Sequence, residues 1–569
     1  MSGATSKELI AVAKGEAPAD LVLANARIVN TLNGEVEEGN VAVFKDRIAG
    51  VGDYRSAHEL IDLGGRYLSP GLINGHIHLE SSMLHVARYA QAVVPRGVSA
   101  VVTDFHEISN VRGLKGARYM LDCARALPFD VYFMVPPCVP ATHLETAGAE
   151  IGPAEVAEAL SWEETIGLGE VMNVPGVLAA ADDVMAKLAS ARGRVIDGHA
   201  PGLGGNGLNA YIACDIGSDH ECTVLEEAQE KLARGMYIMI REGSSEKNLE
   251  ALLPLVTDKT YKRCLFVVDD RSCADLLRDG DIDAVVRKAI ALGLDPVRAI
   301  QLATINSAER FSLHGVGAIA PGYVANMTVI DDLSSFRAEM VFYQGRMVAK
   351  GSELLFLPIV MGNQGMTSTV NVKPFTIEGL QMPARKGILP VIEIVPDQIV
   401  TRKGEERVKV SNKLVVPDVE RDILKLAVVE RHRASGNIGL GLVKGFGLKR
   451  GALASSIAHD SHNICAVGTS DEDLYAAISE VVRLHGGLAV AAGGQVVGSL
   501  ALPIAGLLSD EPLATVVEKF ERLKRMAGEL GCALADPFAT LSFVALPVIP
   551  ELRLTDRGLV DVLAFQLID

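Results

Sequence analysis

Two histidines, His76 and His78, stand two residues apart at the end of the apolar run PGLINGHIHLESS, residues 70–82. Residues i and i+2 of a strand point to the same face, so both imidazoles can reach one cation while Ile77 packs behind them. Glu80 continues that face. Taken alone, the motif also fits a surface strand with two solvated imidazoles, so its meaning depends on the rest of the chain.

Four more side chains of metal-ligating type follow later apolar runs: Glu170, His199, His220 and Asp269. Three of them have a structural alternative when taken singly: a core histidine for His199, a helix N-cap or buried ion-pair partner for Glu170, and a helix N-cap for Asp269. Six such residues at the ends of five runs are hard to explain as separate accidents. We therefore predict a hydrolytic metal site, which needs nitrogen and oxygen ligands and an open position for water.

These residues would be positioned by eight apolar runs, separated by helix-compatible segments: LINGHIHLE, VSAVVTDF, DVYFMVPP, IGLGEVM, RVIDGHA, YIACDIGSDH, MYIMIREGS and CLFVVDD. Eight such units in roughly 250 residues match the size of a (β/α)8 barrel. The ligand-type residues and Asp104 lie at or just past the C-terminal ends of the runs, where barrel enzymes keep their chemistry. Cys214 and Cys264 fall inside runs, and we expect them to be packed rather than ligating.

Short β-type runs with glycine turn signals occur on both sides of this region, at residues 20–69 and 320–351. Because they flank the same insert, we interpret them as one small β-sandwich. From about residue 365, short strands alternate with helix-like pieces, which indicates a separate α+β domain. The predicted α/β fold has a sandwich of residues 1–69 and 318–362, a TIM-like barrel of residues 70–317 and a C-terminal α+β domain of residues 363–569.

The chain has 569 residues, enough for two or three domains with ample buried surface. A formal net charge of -17 opposes a nucleic-acid partner, which needs a basic face. Eight cysteines without a CxxC pair indicate a reducing compartment. The opening segment is not a signal peptide, and no apolar window is long enough for a membrane span. We expect a cytoplasmic homodimer or other homo-oligomer that acts on a small molecule and binds neither nucleic acid nor membrane.

The Pro-Gly-x-Ile-x-x-His-x-His opening resembles the amidohydrolase superfamily, and further segments resemble its adenine deaminase family. These segments are GHIHLESS, VVTDFHEISNV, FMVPPCVPAT, GLGEVMN, IDGHAPGLGGNGLNAYIACDIGSDHE, VVDDR and VVERHRASGNIGLGLVKGFGLKRGALASSIAHDSHN. The resemblance covers nearly the whole chain and implies a binuclear metal centre. Its ligands would be His76, His78, Glu170, His199, His220 and Asp269. Glu170 would bridge the two ions, where many superfamily members use a carboxylated lysine.

The same resemblance implies hydrolytic deamination of adenine to hypoxanthine and ammonia, a step of purine salvage. Two Mn2+ or Fe2+ ions, or Zn2+, suit a shell of nitrogen and carboxylate ligands and would activate the attacking hydroxide. Asp269 would take its proton and pass it to the leaving ammonia. A ring nitrogen must also be protonated, for which His106, Glu107 and Asp270 are candidates. His106 has the best case because it ends the second run within the family motif, and bracing its loop is the alternative.

Two positions depart from the family pattern: Phe105 replaces a proline in TDFHE, and Ser272 replaces a histidine in DDRS. We expect Phe105 to change the width of the purine pocket and Ser272 to remove a substrate or proton-transfer contact. Another amidohydrolase that acts on an aminopurine, a cyclic amidine or an amide is therefore the alternative, distinguished by whether ammonia leaves without ring opening. A non-catalytic scaffold is disfavoured because such a protein would have lost ligands.

We also predict structural roles for two polar segments near the predicted site. Ser81 and Ser82 orient the first histidines or cap the following helix, and capping is preferred. His459, Asp460 and His462 in IAHDSHN either reach over the barrel mouth, hold another ion or form a local turn with a capped backbone. The turn is the preferred interpretation.

Overall fold

The computed structural model describes residues 6–358, 362, 365–384, 388–396 and 398–568. Strands from the beginning of the chain and strands after residue 326 form one nine-stranded sheet within this described part. Met327–Ile330 pairs antiparallel with Tyr67–Pro70, which joins the two halves of the unit. The strands are Ala19–Asn30, Glu35–Phe44, Arg47–Gly52, Ala57–Asp62, Tyr67–Pro70, Met327–Ile330, Ala338–Tyr343, Arg346–Lys350 and Glu353–Leu354; the helix Ser6–Ala13 precedes them.

A curled parallel sheet lies between the two halves of this β unit and carries the candidate site. In chain order its strands are Leu72–Asn74, Ile77–His78, Val98–Thr103, Asp130–Val135, Thr165–Val171, Val195–Gly198, Ser218–Asp219, Tyr237–Arg241, Cys264–Val267 and Asp269–Asp270. The last of these runs parallel beside Ile77–His78. The Asp269 N–H also donates to the His76 carbonyl over 3.0 Å. The first and last parts of the sheet are therefore neighbours.

Helices separate the strands of the curled sheet and cover its outer face. They are Val86–Val93, His106–Arg112, Leu114–Ala124, Pro153–Ala159, Val174–Leu178, Asp182–Ser190, Gly205–Ile212, Leu225–Ala233, Leu249–Leu252, Cys273–Arg278, Ile282–Ala291, Pro296–Leu302 and Ile305–Arg310, with short 3-10 turns at Leu79–Ser82, Val94–Arg96, Leu253–Leu255 and Tyr261–Arg263. Because both faces are covered, most strand residues are buried and the runs read as continuously apolar.

One predicted strand consists mostly of the end of a helix and a turn. The run YIACDIGSDH contributes only Ser218–Asp219 to the sheet, because its first residues complete the helix Gly205–Ile212. Leu208 and Tyr211 bury one face of that helix at the helical spacing of three residues. Cys214 therefore lies in the turn after a helix rather than inside a strand, whereas Cys264 is buried at the start of its strand as predicted.

The C-terminal part is an α+β unit built on an eight-stranded sheet. In spatial order its strands are Thr401–Arg407, Ile388–Ile394, Ile438–Lys444, Ile423–Val429, Ile464–Gly468, Ala452–Ser455, Gly487–Ala492 and Gln495–Ala501. Smaller sheets use Met382–Pro383, Lys409–Ser411 and Leu414–Val416, and Leu552–Thr555, Gly558–Asp561 and Gln566–Ile568. The helices are Asp471–Arg483, Leu513–Glu529 and Pro537–Phe543, with 3-10 turns at Ile377–Leu380 and Val419–Arg421.

The C-terminal unit contacts the loops at the carboxyl ends of the parallel strands. The Ser509 N–H donates to the Met83 carbonyl over 2.8 Å, and the His85 N–H donates to the Ser509 carbonyl over 2.9 Å. The Asn463 amide donates to the Thr146 carbonyl over 2.9 Å. These bonds tie the unit over the end of the sheet where the ligand-type residues are found.

Two general features of the described chain bear on its environment. All eight cysteines are free thiols. Within the residues that the structure describes, no helix has both the length and the apolar character that crossing a membrane requires.

Candidate metal centre and active site

The six predicted ligands come together at the carboxyl ends of the parallel strands. His78 and Glu170 lie within strands, Asp269 begins the last one, and His199 and His220 each follow a strand by one residue. Glu170 lies in the strand Thr165–Val171, whose glycines allow it to lie close to the neighbouring strands. A Cβ at Gly167 would lie 2.2 Å from the Val195 carbonyl oxygen, so a larger residue there would push the strand Val195–Gly198 away.

The ring of His78 is oriented by a carboxylate outside the predicted ligand set. Its Nδ1 lies 3.1 Å from Asp104 Oδ1, and an N–H at that position donates to the carboxylate. In this tautomer the opposite nitrogen carries a lone pair. That Nε2 lies 3.0 Å from Glu170 Oε1 and 3.4 Å from Asp269 Oδ1, so three acceptors face one another. Such a buried arrangement needs a positive charge among the three atoms, which is either a cation or a proton on Nε2; burial opposes that proton, but Asp104 and Glu170 hold the pKa of His78 well above its usual range.

Glu170 occupies the centre of the cluster. His199 Nδ1 lies 2.6 Å from its Oε2, and His220 Nε2 lies 3.3 Å from the same oxygen. Burial opposes ionisation of Glu170, but hydrogen bonds and charges of the surrounding histidines hold its pKa well below the usual range. A carboxylate whose two oxygens face different sets of nitrogens has the geometry of a bridging ligand.

His76 provides the clearest unsatisfied atom. Its Nε2 is buried and has no hydrogen-bond partner among the described residues. The nearest carboxylate oxygen, Asp269 Oδ1, is 3.5 Å away, and the ring stacks on His220 with centroids 4.4 Å apart. Buried polar atoms are nearly always paired, so this nitrogen is suited to a ligand. The donor set of nitrogens and carboxylates fits divalent Mn, Fe or Zn.

Asp269 is positioned by its backbone and by an arginine that sequence reasoning missed. Its φ of 66° is in the left-handed region, which is uncommon outside glycine and occurs at functional sites. Arg241 donates to Asp269 Oδ2 over 2.7 Å, so Oδ1 faces the histidines. Arg241 also donates to Glu221, which follows His220. The signal in the sequence was an arginine ending the apolar run MYIMIR. The helix N-cap considered for Asp269 is provided by Ser272 instead.

A second cluster of histidines and carboxylates lies beside the first. His106 Nε2 is 3.1 Å from Asp460 Oδ2, and His459 Nδ1 is 2.9 Å from Glu107 Oε1. His462 Nε2 donates to the other oxygen of Glu107. Residues 459–461 do form the preferred local turn, in which the His462 N–H donates to the Ala458 carbonyl over 2.7 Å, and the same segment also reaches over the end of the sheet. Periodicity could not reveal it, because the contacts span two domains.

A cavity lies between the sheet end and the C-terminal unit. On the sheet side it is lined by acidic and hydroxyl side chains: Glu80, Ser81, Glu107, Ser244, Asp270 and Ser272. On the C-terminal side its lining includes Ile457, His459, Leu488, Leu507, Phe538 and Phe543. Burial and the charge of Asp269 raise the pKa of Asp270 to about 6. Burial and the charge of Glu107 raise that of Glu80 to about 8. Polar groups facing an apolar wall suit a flat heterocycle.

Three sequence expectations about neighbouring residues are corrected or refined. Phe105 is fully buried and stacks on Phe133, with centroids 6.0 Å apart, so it belongs to the core and not to the cavity wall. Ser272 does line the cavity. The helix Val86–Val93 is capped by His85, so the preferred capping role of Ser81 and Ser82 was wrong. Ser81 instead donates to the His78 carbonyl over 2.8 Å and accepts from the Arg271 N–H over 2.8 Å.

Comparison with known proteins covers nearly the whole chain. Residues 67–349 match the amidohydrolase family, and residues 398–566 match the adenine deaminase C-terminal domain. An adenine deaminase of Dehalococcoides mccartyi is 60% identical over 561 residues, which cover 99% of this chain and 98% of that protein. Adenine deaminase 2 of Carboxydothermus hydrogenoformans is 49% identical over 563 residues, covering 99% of both chains. An adenine deaminase of Halalkalibacterium halodurans is 45% identical over 569 residues, covering 98% of this chain and 97% of the relative.

Proposed function

The chain belongs to the adenine deaminase family of amidohydrolases, which are metal-dependent hydrolases of carbon–nitrogen bonds, and we propose that it converts adenine and water to hypoxanthine and ammonia. Identity to curated adenine deaminases along the full length supports the substrate. One observation carries the chemistry: His78 Nε2 faces two carboxylate oxygens inside a buried cluster of histidines and carboxylates whose atoms could hold a metal ion. That arrangement supports hydrolysis with a bound cation rather than a scaffold that has lost its metals.

Two divalent ions per chain, Mn2+ or Fe2+ with Zn2+ as a further candidate, would be held by the predicted set. The ligands are His76, His78, Glu170, His199, His220 and Asp269, with Glu170 between the two ions. When bound, such ions lower the pKa of water so that a nucleophile forms near neutral pH. Asp104 and Arg241 support this proposal by turning His78 and Asp269 toward the cluster.

The chain's own side chains would move the protons. Asp269 Oδ1 faces the cluster, while Arg241 occupies Oδ2, so the free oxygen is available to accept a proton from water and return it to the leaving amine. His106 is the proposed donor to a purine ring nitrogen. Burial opposes its charge, but Asp460 and other carboxylates hold its pKa well above the usual range. Its buried Nδ1 has no partner among the described residues, which leaves one N–H to donate.

Asp270 and Glu107 are weaker candidates for that donation. Asp270 is next to a proposed ligand, and its raised pKa of about 6 would leave it mostly ionised at neutral pH. Glu107 is held as a carboxylate by two histidines, with burial opposed by their charge and hydrogen bonds, so its pKa lies well below the usual range. An ionised carboxylate accepts hydrogen bonds and has no proton to give.

The remaining expectations from sequence stay proposals. The amidohydrolase match implies a TIM-barrel-like fold; we propose that the curled sheet is a closed (β/α)8 barrel of residues 70–317. The β unit would be a sandwich of residues 1–69 and 318–362, followed by a C-terminal domain of residues 363–569. We further propose a cytoplasmic homodimer or other homo-oligomer that works in purine salvage.

The test is a direct assay of metal-loaded protein with adenine. We expect loss of the aminopurine absorbance with one ammonia released per adenine, and no reaction in metal-free protein. Parallel assays with other aminopurines, cyclic amidines and cyclic amides test the alternative that the chain is an amidohydrolase with a different substrate. Release of ammonia from another amidine but not from adenine, or ring opening without ammonia, would overturn the substrate. Inactivity of fully loaded protein on the whole panel would overturn the enzyme.

A further inference from the structure

The carboxylate of Glu107 is gripped by two histidines from the other end of the chain. Glu107 follows the strand Val98–Thr103 of the curled sheet, within the helix His106–Arg112. His459 Nδ1 lies 2.9 Å from one of its oxygens, and His462 Nε2 donates to the other. All three side chains line the cavity between the sheet end and the C-terminal unit. We call this group of three the Glu107 clamp.

The protonation of His462 follows from its second contact. The backbone N–H of Ala458 donates to His462 Nδ1 over 3.2 Å, so this nitrogen carries the lone pair. The proton must then be on Nε2, the atom that faces Glu107. Burial lowers the pKa of His462, in keeping with a neutral ring. His462 is thus built as a neutral donor to a carboxylate.

His459 is held by the last helix of the cavity wall. Its ring stacks on Phe543, with centroids 4.8 Å apart and planes inclined by 23°. Its backbone N–H donates to Ser542 Oγ over 3.2 Å. Burial opposes a charge on this ring, but Glu107 and nearby aspartates raise its pKa to about 10. The helix Pro537–Phe543 therefore sets the direction from which His459 meets Glu107.

The loop that presents both histidines is itself fixed within the C-terminal unit. His432 Nε2 donates to the Ser461 carbonyl over 2.6 Å, and buried Arg431 donates to the His462 carbonyl. The Asn463 amide reaches across to the Thr146 carbonyl. Because these hydrogen bonds hold the loop in place, the position of Glu107 depends on the C-terminal unit and not on the sheet alone.

We propose that His459 and His462 are positioning residues that hold the Glu107 carboxylate toward the cavity as the acceptor for a ring N–H of the purine. Each carboxylate oxygen has two lone pairs, so one N–H from each histidine leaves capacity for a third donor. The apolar wall that includes Phe538 and Phe543 packs against the ring from the C-terminal side. This inference rests on the proposed function, and it assigns the C-terminal unit a direct part in binding substrate.

The experiment compares substitutions that keep or remove the donated hydrogen bond. His459→Asn keeps a donor near the Nδ1 position and His462→Gln keeps one near Nε2, whereas His459→Ala and His462→Ala remove them. Glu107→Gln removes the charged acceptor. His485→Asn, at an exposed histidine of the same unit, is the matched control. Circular dichroism and metal analysis establish that each variant is folded and loaded.

We expect the alanine variants and Glu107→Gln to raise KM for adenine by roughly 10- to 100-fold, the range for losing a hydrogen bond to a charged group. The value of kcat should fall less than KM rises. The Asn and Gln variants should recover most of the affinity, and His485→Asn should match the wild type. Unchanged KM in the alanine variants overturns the clamp. Folded Asn and Gln variants that are as impaired as alanine also overturn it, as does a loss confined to kcat.

The same variants separate this inference from the proposed function. If the wild type releases no ammonia from adenine, the proposed function fails, and equilibrium binding of adenine then decides the clamp. The same order of dissociation constants, with wild type tightest, Asn and Gln variants next and alanine variants weakest, supports it. Equal constants, or no binding of adenine to the wild type, overturn it. If an alanine variant does not fold, the Asn and Gln variants against Glu107→Gln make the same comparison.

Discussion

Two buried clusters of histidines and carboxylates lie side by side at the end of the curled sheet, and they differ in which atoms face one another. In the Glu170 cluster, the pairing is incomplete: His76 Nε2 has no partner among the described residues, and the single atom His78 Nε2 faces two carboxylate oxygens. In the Glu107 clamp, N–H groups meet oxygens, because His462 keeps its proton on the nitrogen facing the carboxylate.

The difference shows that residue types alone do not identify a metal site. Ligand atoms of Glu107, His459 and Asp460 lie as close together as those of the Glu170 cluster, all within 4.8 Å. What separates the two is seen in one ring of each, His78 and His462, at the nitrogen that faces away from the central carboxylate. Where it donates to a carboxylate, as in His78 with Asp104, the first nitrogen is left to bind a cation. Where it accepts from backbone, as in His462, the first nitrogen donates to a carboxylate.

Of the tests that distinguish the two clusters, removal of metal should have the largest effect on activity. We expect chelation to abolish ammonia release from adenine and Mn2+ or Fe2+ to restore it, because the proposed ions activate the attacking water. Metal analysis should find two ions per chain and not three. Full activity in rigorously metal-free protein would contradict the proposed centre, and three ions would place a cation in the Glu107 clamp.

Glu170→Gln should come next. Glutamine keeps the size of the side chain but removes the charge between two dications and brings an amide toward His199 or His78. We expect at least one metal to be lost and turnover to collapse, while circular dichroism and melting show a folded protein. A variant that keeps both ions and a near wild-type rate would make Glu170 a structural residue.

Asp269→Asn tests the carboxylate that Arg241 orients. General acid–base help is worth about 10²–10⁴-fold, and weaker activation of water adds to the loss. We expect kcat to fall by at least that range, measured as ammonia release at saturating adenine. A loss of less than about tenfold, a fraction of the general acid–base range, with metals intact would move the proton acceptor to another residue.

His106→Asn should depress turnover without touching the metals. The imidazole contacts Asp460 and lies outside the Glu170 cluster, so both ions should remain. If His106 protonates the purine, kcat should fall by about 10²–10⁴-fold. Metal content by elemental analysis is the control. Near wild-type turnover would leave His106 with the alternative of bracing its loop.

The smallest expected effect is on metal content in Glu107→Gln. Because the clamp pairs its own donors and acceptors, removing the charge of Glu107 should leave two ions per chain, measured on the same preparation used for kinetics. Loss of an ion from this variant alone would show that the two clusters share a cation, and the distinction between them would fail.

The first cluster could be found from sequence because it obeys local rules. His76 and His78 follow from strand alternation, and Glu170, His199, His220 and Asp269 from their places at the ends of apolar runs. Eight runs also pointed to the parallel sheet. One of them was misjudged, because YIACD has an apolar spacing that suits a helix as well as a strand.

The second cluster could not be found that way. Nothing near Glu107 in the chain indicates His459 or His462, since contacts between domains depend on how two folded units dock. The pocket role expected of Phe105 failed for a related reason. The side chain of a motif residue can point into the core even when the next residue is a candidate catalytic residue. The backbone of Phe105 is left-handed, with a φ of 48°, and directs the ring to Phe133.

The clamp also has a consequence for synthesis of the protein. Glu107 and His462 are separated by 355 residues. A ribosome has therefore translated all six ligand residues, the last being Asp269, well before His459 enters the exit tunnel. For that interval the nascent chain carries its ligands without the loop that later covers the cavity. The order of synthesis therefore allows the proposed ions to reach the strands from solvent before the C-terminal unit covers the cavity.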